Sequence, residues 1–298
     1  MQMNMAQQGH HQRMLAAYDF GLFPLPCYRE HRLGAWRLVR HLPSLADGYV
    51  SPTMMESGRH VLYHRRTPWM STGLLEWESH AYHVHAAHGA VVVAGLGLAM
   101  YAHAVAAKAS VDRVVVIERS ADVINLMRIA SGWDTWPERG KIIILEADAL
   151  DPALAGPVRV ALDGRAPDYL FADIWPRCAQ AQTPIEMAAM VRAFRPVSAG
   201  WWGQELGFAA WCDHDDPSGD LEAKSRSDLS QPVDVTPARL EAYFDNVGVP
   251  VPLTPGYVAF CRDVIAMNRP PQPSAVFSII GRLWRGFGKA DGRDGSAR

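Results

Sequence analysis

The stretch Ala90-Val91-Val92-Val93-Ala94-Gly95-Leu96-Gly97-Leu98-Ala99-Met100 decides the fold. A short β-branched run ends on two glycines and passes into an alanine-rich segment, the pattern of a buried strand, a tight turn and a helix. Gly95 and Gly97 let the backbone turn sharply and approach a ligand with no Cβ in the way. The next apolar run, Arg113-Val114-Val115-Val116-Ile117-Glu118, reads as a second buried strand closing on a carboxylate. There Glu118 can accept hydrogen bonds from both hydroxyls of a ribose. These two pieces form half of a nucleotide-binding α/β unit, with its site at the carboxyl ends of parallel strands.

The alternation continues downstream. Ser120–Ala130 reads as a helix with Val123, Ile124 and Met127 on one face. Lys141–Glu146 is the third strand, and Pro167–Ala172 the fourth, leading into Asp173-Ile174-Trp175-Pro176. Thr183-Pro184-Ile185-Glu186 has the form of a capping box opening a helix to about Arg195. Gly200–Gly203 reads as a fifth strand, followed by a helix over Gln204–Cys212. This spacing implies right-handed crossovers and a Rossmann-like, doubly wound, mostly parallel sheet with helices on both faces.

The flanks differ from the core. Residues 1–14 are polar and rich in Gln and His, read as a disordered tail without an apolar signal core. Residues 15–88 read as a small β-containing cap: a helix over His31–Leu42, strands at Tyr49–Thr53 and Arg59–Arg65, a turn at Trp69–Gly73 and a helix over Leu74–His88. Residues 89–268 form the α/β domain. It includes a polar loop at Asp213–Gln231 and helices near Pro237–Val247 and Pro255–Asn268, each behind a Thr-Pro start. Residues 269–298 are a Pro-rich linker and tail, with an amphipathic stretch at Ala275–Lys289.

Composition narrows the function classes. In 298 residues, 49% hydrophobic and 20% charged content fits a globular protein, and a net charge of −2 argues against a nucleic-acid partner. No apolar run approaches the roughly 20 residues of a membrane span. Cys27, Cys178, Cys212 and Cys261 are far apart, so neither a zinc knuckle nor a disulfide framework is expected, and a reducing cytoplasm is the simplest compartment. His80, His83, His85 and His88 lack a Cys or acid cluster at metal-ligand spacing, so no metal site is expected. They read as histidines along the helix before the first core strand.

Two cofactors fit a glycine turn followed by an acid at the next strand end. The dinucleotide fingerprint wants a third glycine where this chain has Met100, whose side chain would crowd a pyrophosphate. Residues 89 to about 205 resemble the class I S-adenosylmethionine-dependent methyltransferases, and among them the spermidine synthase-like branch. Ala94–Ala99 is similar to the glycine motif that passes the methionine part of the cofactor, with Ala99 where a third glycine is usual. The resemblance makes Glu118 the ribose acid, Asp148 of Glu146-Ala147-Asp148-Ala149 the adenine partner, and Asp173 the fourth-strand acid facing the substrate. Aminopropyl transferases carry a second Asp three residues after the first; here that position is Pro176.

The expectation is thus an S-adenosylmethionine-dependent methyltransferase acting on a small molecule. Gly95, Gly97, Glu118 and Asp148 would bind the cofactor, and Asp173 would orient the nucleophile or take its proton. Trp175 would wall the pocket, and Glu205 either reaches the substrate or serves as a helix N-terminal acid. Asp148 has its own alternative as a solvated strand-end acid or a helix cap for the residues from Ala149 onward. An aminopropyl transferase, needing a second acid such as Glu205 or Glu76 beside Asp173, and a non-enzymatic nucleotide-binding protein are the alternatives. A homo-oligomer is compatible with the sequence.

Overall fold

The computed structural model describes residues 3, 5–212 and 233–268. Its centre is a five-stranded parallel sheet of β7 (Gly89–Ala94), β8 (Val111–Glu118), β9 (Ile142–Glu146), β10 (Tyr169–Ala172) and β11 (Ser198–Trp201). The strand order is β11-β10-β7-β8-β9, so the chain reverses direction across the sheet between β7 and β10. Ligand crevices of open α/β sheets form at such a reversal. Val91–Ala94 and Val114–Ile117 are almost wholly excluded from solvent, which accounts for their unbroken apolar runs. The architecture is consistent with a Rossmann-like fold.

Helices α3 (Met100–Ala106), α4 (Ala121–Ala130), α5 (Ala155–Ala161), α6 (Gln182–Phe194), α7 (Gln204–Cys212), α8 (Pro237–Val247) and α9 (Pro255–Met267) flank the sheet. Three starts are written in hydroxyls. Ser120 Oγ accepts from Val123 N, Thr236 Oγ1 from Arg239 N and Thr254 Oγ1 from Tyr257 N. The expected capping box at Thr183 does not form: α6 begins one residue earlier, and Thr183 Oγ1 is buried without a hydrogen-bond partner. Glu186 is instead engaged by Trp175.

The N-terminal region departs furthest from expectation. Residues 5–18 are helical rather than a tail: α1 (Met5–Tyr18) buries Met14 and Tyr18 and packs on α9. His10 Nε2 meets Glu78 Oε1 at 2.6 Å inside the protein, which ties α1 to α2 (Leu74–Ala86). The expected helix at 31–42 is a hairpin of β1 (His31–Leu33) and β2 (Trp36–Arg40). Leu33 pairs with Trp36 across Gly34-Ala35, and Gly34 takes the positive φ that a two-residue hairpin demands.

β1 and β2 join β5 (His60–His64) and β6 (Thr67–Ser71) in an antiparallel sheet ordered β1-β2-β5-β6. The turn expected at Trp69–Gly73 is largely strand, since β6 runs to Ser71, and Pro68 is tolerated in it because β6 is an edge strand. Tyr49–Thr53 is not a strand; β3 (Ser44–Ala46) and β4 (Met54–Glu56) flank it as a separate pair. Glu78 explains that loop: its Oε2 accepts from Tyr49 N and Val50 N at 2.6 and 2.8 Å. All of the expected loop at Asp213–Gln231 and all of the tail after 268 lie outside the described residues, and β11 is an edge of the sheet among those described.

Candidate active site

A cleft of about 390 Å³ opens at the carboxyl ends of β7, β8, β9 and β10, roofed by the N-terminal antiparallel sheet. Six of the seven residues nominated from sequence line it: Gly95, Gly97, Glu118, Asp148, Asp173 and Trp175. The backbone brings them together. Gly95 N donates to Ile117 O, Ala147 N to Glu118 O and Asp173 N to Ala94 O, which stitches adjacent strand ends.

Gly95 needs to be glycine twice over: its φ is +97°, and a Cβ would run into the carbonyl oxygen of Asp173. Ala99, where a third glycine is usual in the resembling family, also sits in the left-handed region at φ 58°. Glu118 holds the turn. Its Oε2 accepts from Leu96 N at 3.0 Å and its Oε1 from Ser120 N at 2.8 Å. Each carboxylate oxygen has a further lone pair for a ligand hydroxyl. Asp148 is exposed, and its Oδ1 accepts from Leu150 N at 3.0 Å, so it caps a turn at the rim.

Met100 does not crowd the turn. It is wholly buried under α3 and does not line the cleft. The side chain on the glycine turn is Met70 of β6, whose Sδ receives Leu98 N at 3.3 Å and which a Cβ at Gly97 would strike. Nothing in the sequence around Met70 signals this, because the contact depends on how the antiparallel sheet docks.

On the substrate side, His80 joins Asp173. His80 Nε2 lies 3.2 Å from Asp173 Oδ2, and His80 Nδ1 lies 2.6 Å from the carbonyl oxygen of Glu76. A carbonyl only accepts, so Nδ1 carries hydrogen, and a proton must sit between Nε2 and Oδ2 for that contact to attract. His80 lies on the helix before the first core strand, as the sequence reads, with Nε2 turned to Asp173. His83, one turn on, is wholly buried against Tyr169, and burial holds its pKa well below the ordinary value.

Glu76 also lines the cleft. Burial pushes its carboxyl well up, with the charge of Asp173 adding to the effect, while Ser71 N donates to it at 2.8 Å. Glu186 is the third acid on this side. Trp36, Trp69, Trp175 and Trp202 supply aromatic walls, and two are fixed by their ring N–H groups. Trp175 Nε1 donates to Glu186 Oε2 at 2.6 Å, and Trp202 Nε1 to Ser79 Oγ at 3.0 Å. Trp36 and Glu186 escaped the sequence reading because their elements meet only in the folded chain.

Glu205 is the exception among the nominated residues. It is 1% exposed, does not line the cleft, and accepts from Tyr49 Oη at 2.8 Å through Oε2. Burial pushes its carboxyl up to about 7. Among the described residues no three His, Cys, Asp or Glu side chains converge on a metal position, and no helix is long and apolar enough to cross a membrane.

No protein-family model and no curated protein matches this chain. Among solved structures it is similar to the spermidine synthase of Thermotoga maritima at 16% identity with a TM-score of 0.33. That match covers 58% of this chain and 56% of the other, so it spans little more than half the length of that protein.

Proposed function

We propose that the cleft binds S-adenosylmethionine and directs its methyl group to a small amine-bearing acceptor. The observation that carries this reading is the grouping of Gly95, Gly97, Glu118, Asp148 and Asp173 around one cleft. The residues suit the group. Gly95 and Gly97 keep side chains off the turn, Glu118 offers free lone pairs to a ribose, and Asp148 stands at the rim for an adenine amino group. Met70 is a flexible side chain and can yield its place on the turn.

When bound, the cofactor supplies an electrophilic methyl group on a sulfonium. The chain's own part is positioning, exclusion of water and management of one proton. Asp173 orients the acceptor's nucleophilic atom and takes its proton on Oδ1, while His80 Nε2 holds Oδ2 in place. Trp36, Trp69, Trp175 and Trp202 exclude water and offer faces to a cation. Asp173 and Glu186 make the acceptor side acidic, which favours an amine over an anion. Incubating the full chain with S-adenosylmethionine and a panel of small amines, read by mass spectrometry, tests this: a gain of one methyl supports it, and no methylated product refutes it.

A second reading, an aminopropyl transferase, is favoured by one observation: Glu76 is a second acid facing the space beside Asp173. Pro176 weighs against it. Putrescine with decarboxylated cofactor separates the two, since only the second reading yields spermidine.

A further inference from the structure

We infer that the chain carries a second ligand site, for a phosphate-bearing anion, at the end of the sheet opposite the cleft. A cavity of about 290 Å³ is enclosed by α5, the segment entering β10 and the end of α6. Pro167 and Arg195, which line it, precede β10 and β11, whereas Asp173 of the cleft follows β10. Arg159, Arg165, Arg192 and Arg195, all exposed, line it, and no acidic residue does.

The charges are not balanced within the protein. Arg165 pairs with Asp112 at 2.8 Å and has Asp163 and Asp168 nearby. Arg159, Arg192 and Arg195 have no carboxylate partner among the described residues. Arg195 is also held at φ 52°, in the left-handed position that closes α6, where glycine is the unstrained choice. The C-termini of α5 and α6 soften the mutual repulsion of Arg159, Arg192 and Arg195. Guanidinium forks match phosphate oxygens in pairs, and a cavity of this size suits a small polyanion rather than a macromolecule.

The test is calorimetric titration of inorganic pyrophosphate into the full chain. The expected result is one site per chain, weakened by added salt. Arg195→Gly should weaken binding about tenfold or more while the melting temperature holds or rises, because glycine relieves the left-handed strain. A helix-capping role alone would give the same thermal result with binding unchanged, and that would overturn the proposal. Arg192→Gln, which leaves the helix end intact, should weaken binding too. A parallel titration with a nucleoside diphosphate identifies the source of the phosphate: equal affinity assigns the site to phosphate alone, and tighter binding assigns it to a nucleotide. No heat with either ligand, or equal competition by acetate, refutes the site. The inference stands independently of what the cleft binds.

Discussion

Replacing Glu205 by Gln should change how stability depends on pH and leave the cleft's ligand affinity alone. Glu205 is 1% exposed, and burial raises its carboxyl from an ordinary 4.5 to about 7. In the unfolded chain the group ionises near 4.5, whereas the native protein keeps the proton until about 7. Between those values the native state binds more protons than the unfolded state, so this group's contribution to stability falls as pH rises. At about 1.4 kcal/mol per pH unit, the loss accumulates to about 3 kcal/mol and then levels off above the native value. Gln keeps an acceptor for Tyr49 Oη and has nothing to ionise. Urea unfolding of both proteins from acid to mildly alkaline pH gives the difference directly, and subtraction removes shared contributions such as that of buried His83. Wild type should lose ground to Glu205→Gln across that window. A difference that is flat with pH, or a Gln variant with weakened cleft binding, would refute the assignment of Glu205 to the interior.

Gly95→Ala should destabilise the protein by about 2 kcal/mol or more in urea unfolding, because both the positive φ and the carbonyl of Asp173 oppose a Cβ; an unchanged midpoint would contradict the close approach of the turn to β10. Ala99→Gly should raise stability by about 1 kcal/mol, since the left-handed position costs alanine roughly that much; a loss would show that Ala99 is not strained. His80→Gln should lower turnover about a hundredfold and alter its pH profile while leaving cofactor affinity intact; a change in affinity alone would make His80 part of the cofactor site.

The core was legible because its strands are buried on both faces. Val91–Val93 and Val114–Val116 leave no polar alternation to confuse, and each run leads into a cleft-lining glycine or acid. Glu118 and Asp173 could be nominated because their places follow from strand ends alone. The antiparallel sheet was not legible in the same way. Its strands are three to five residues long and half exposed, so Arg and His alternate with apolar residues at spacings that also fit a helix. The Gly34-Ala35 pair was the signal for the hairpin. The cleft walls were harder still. Trp36 and Met70 reach the strand ends only through the docking of one sheet on another, which has no local signature. Glu205 left two alternatives open because its position after β11 resembles a cleft position; it sits in the first turn of α7, which turns its side chain inward to Tyr49.

Calorimetric titration of S-adenosylmethionine into the full chain, and into Glu118→Ala after its fold is checked by circular dichroism, tests the central claim most directly. Two hydroxyl hydrogen bonds to a carboxylate, at about 1.5 kcal/mol each, correspond to roughly a hundredfold in affinity. Wild type should bind one cofactor per chain, and Glu118→Ala should bind about a hundredfold more weakly. Equal affinity in the two proteins, or no binding by wild type, would contradict a sulfonium nucleoside held at the end of β8.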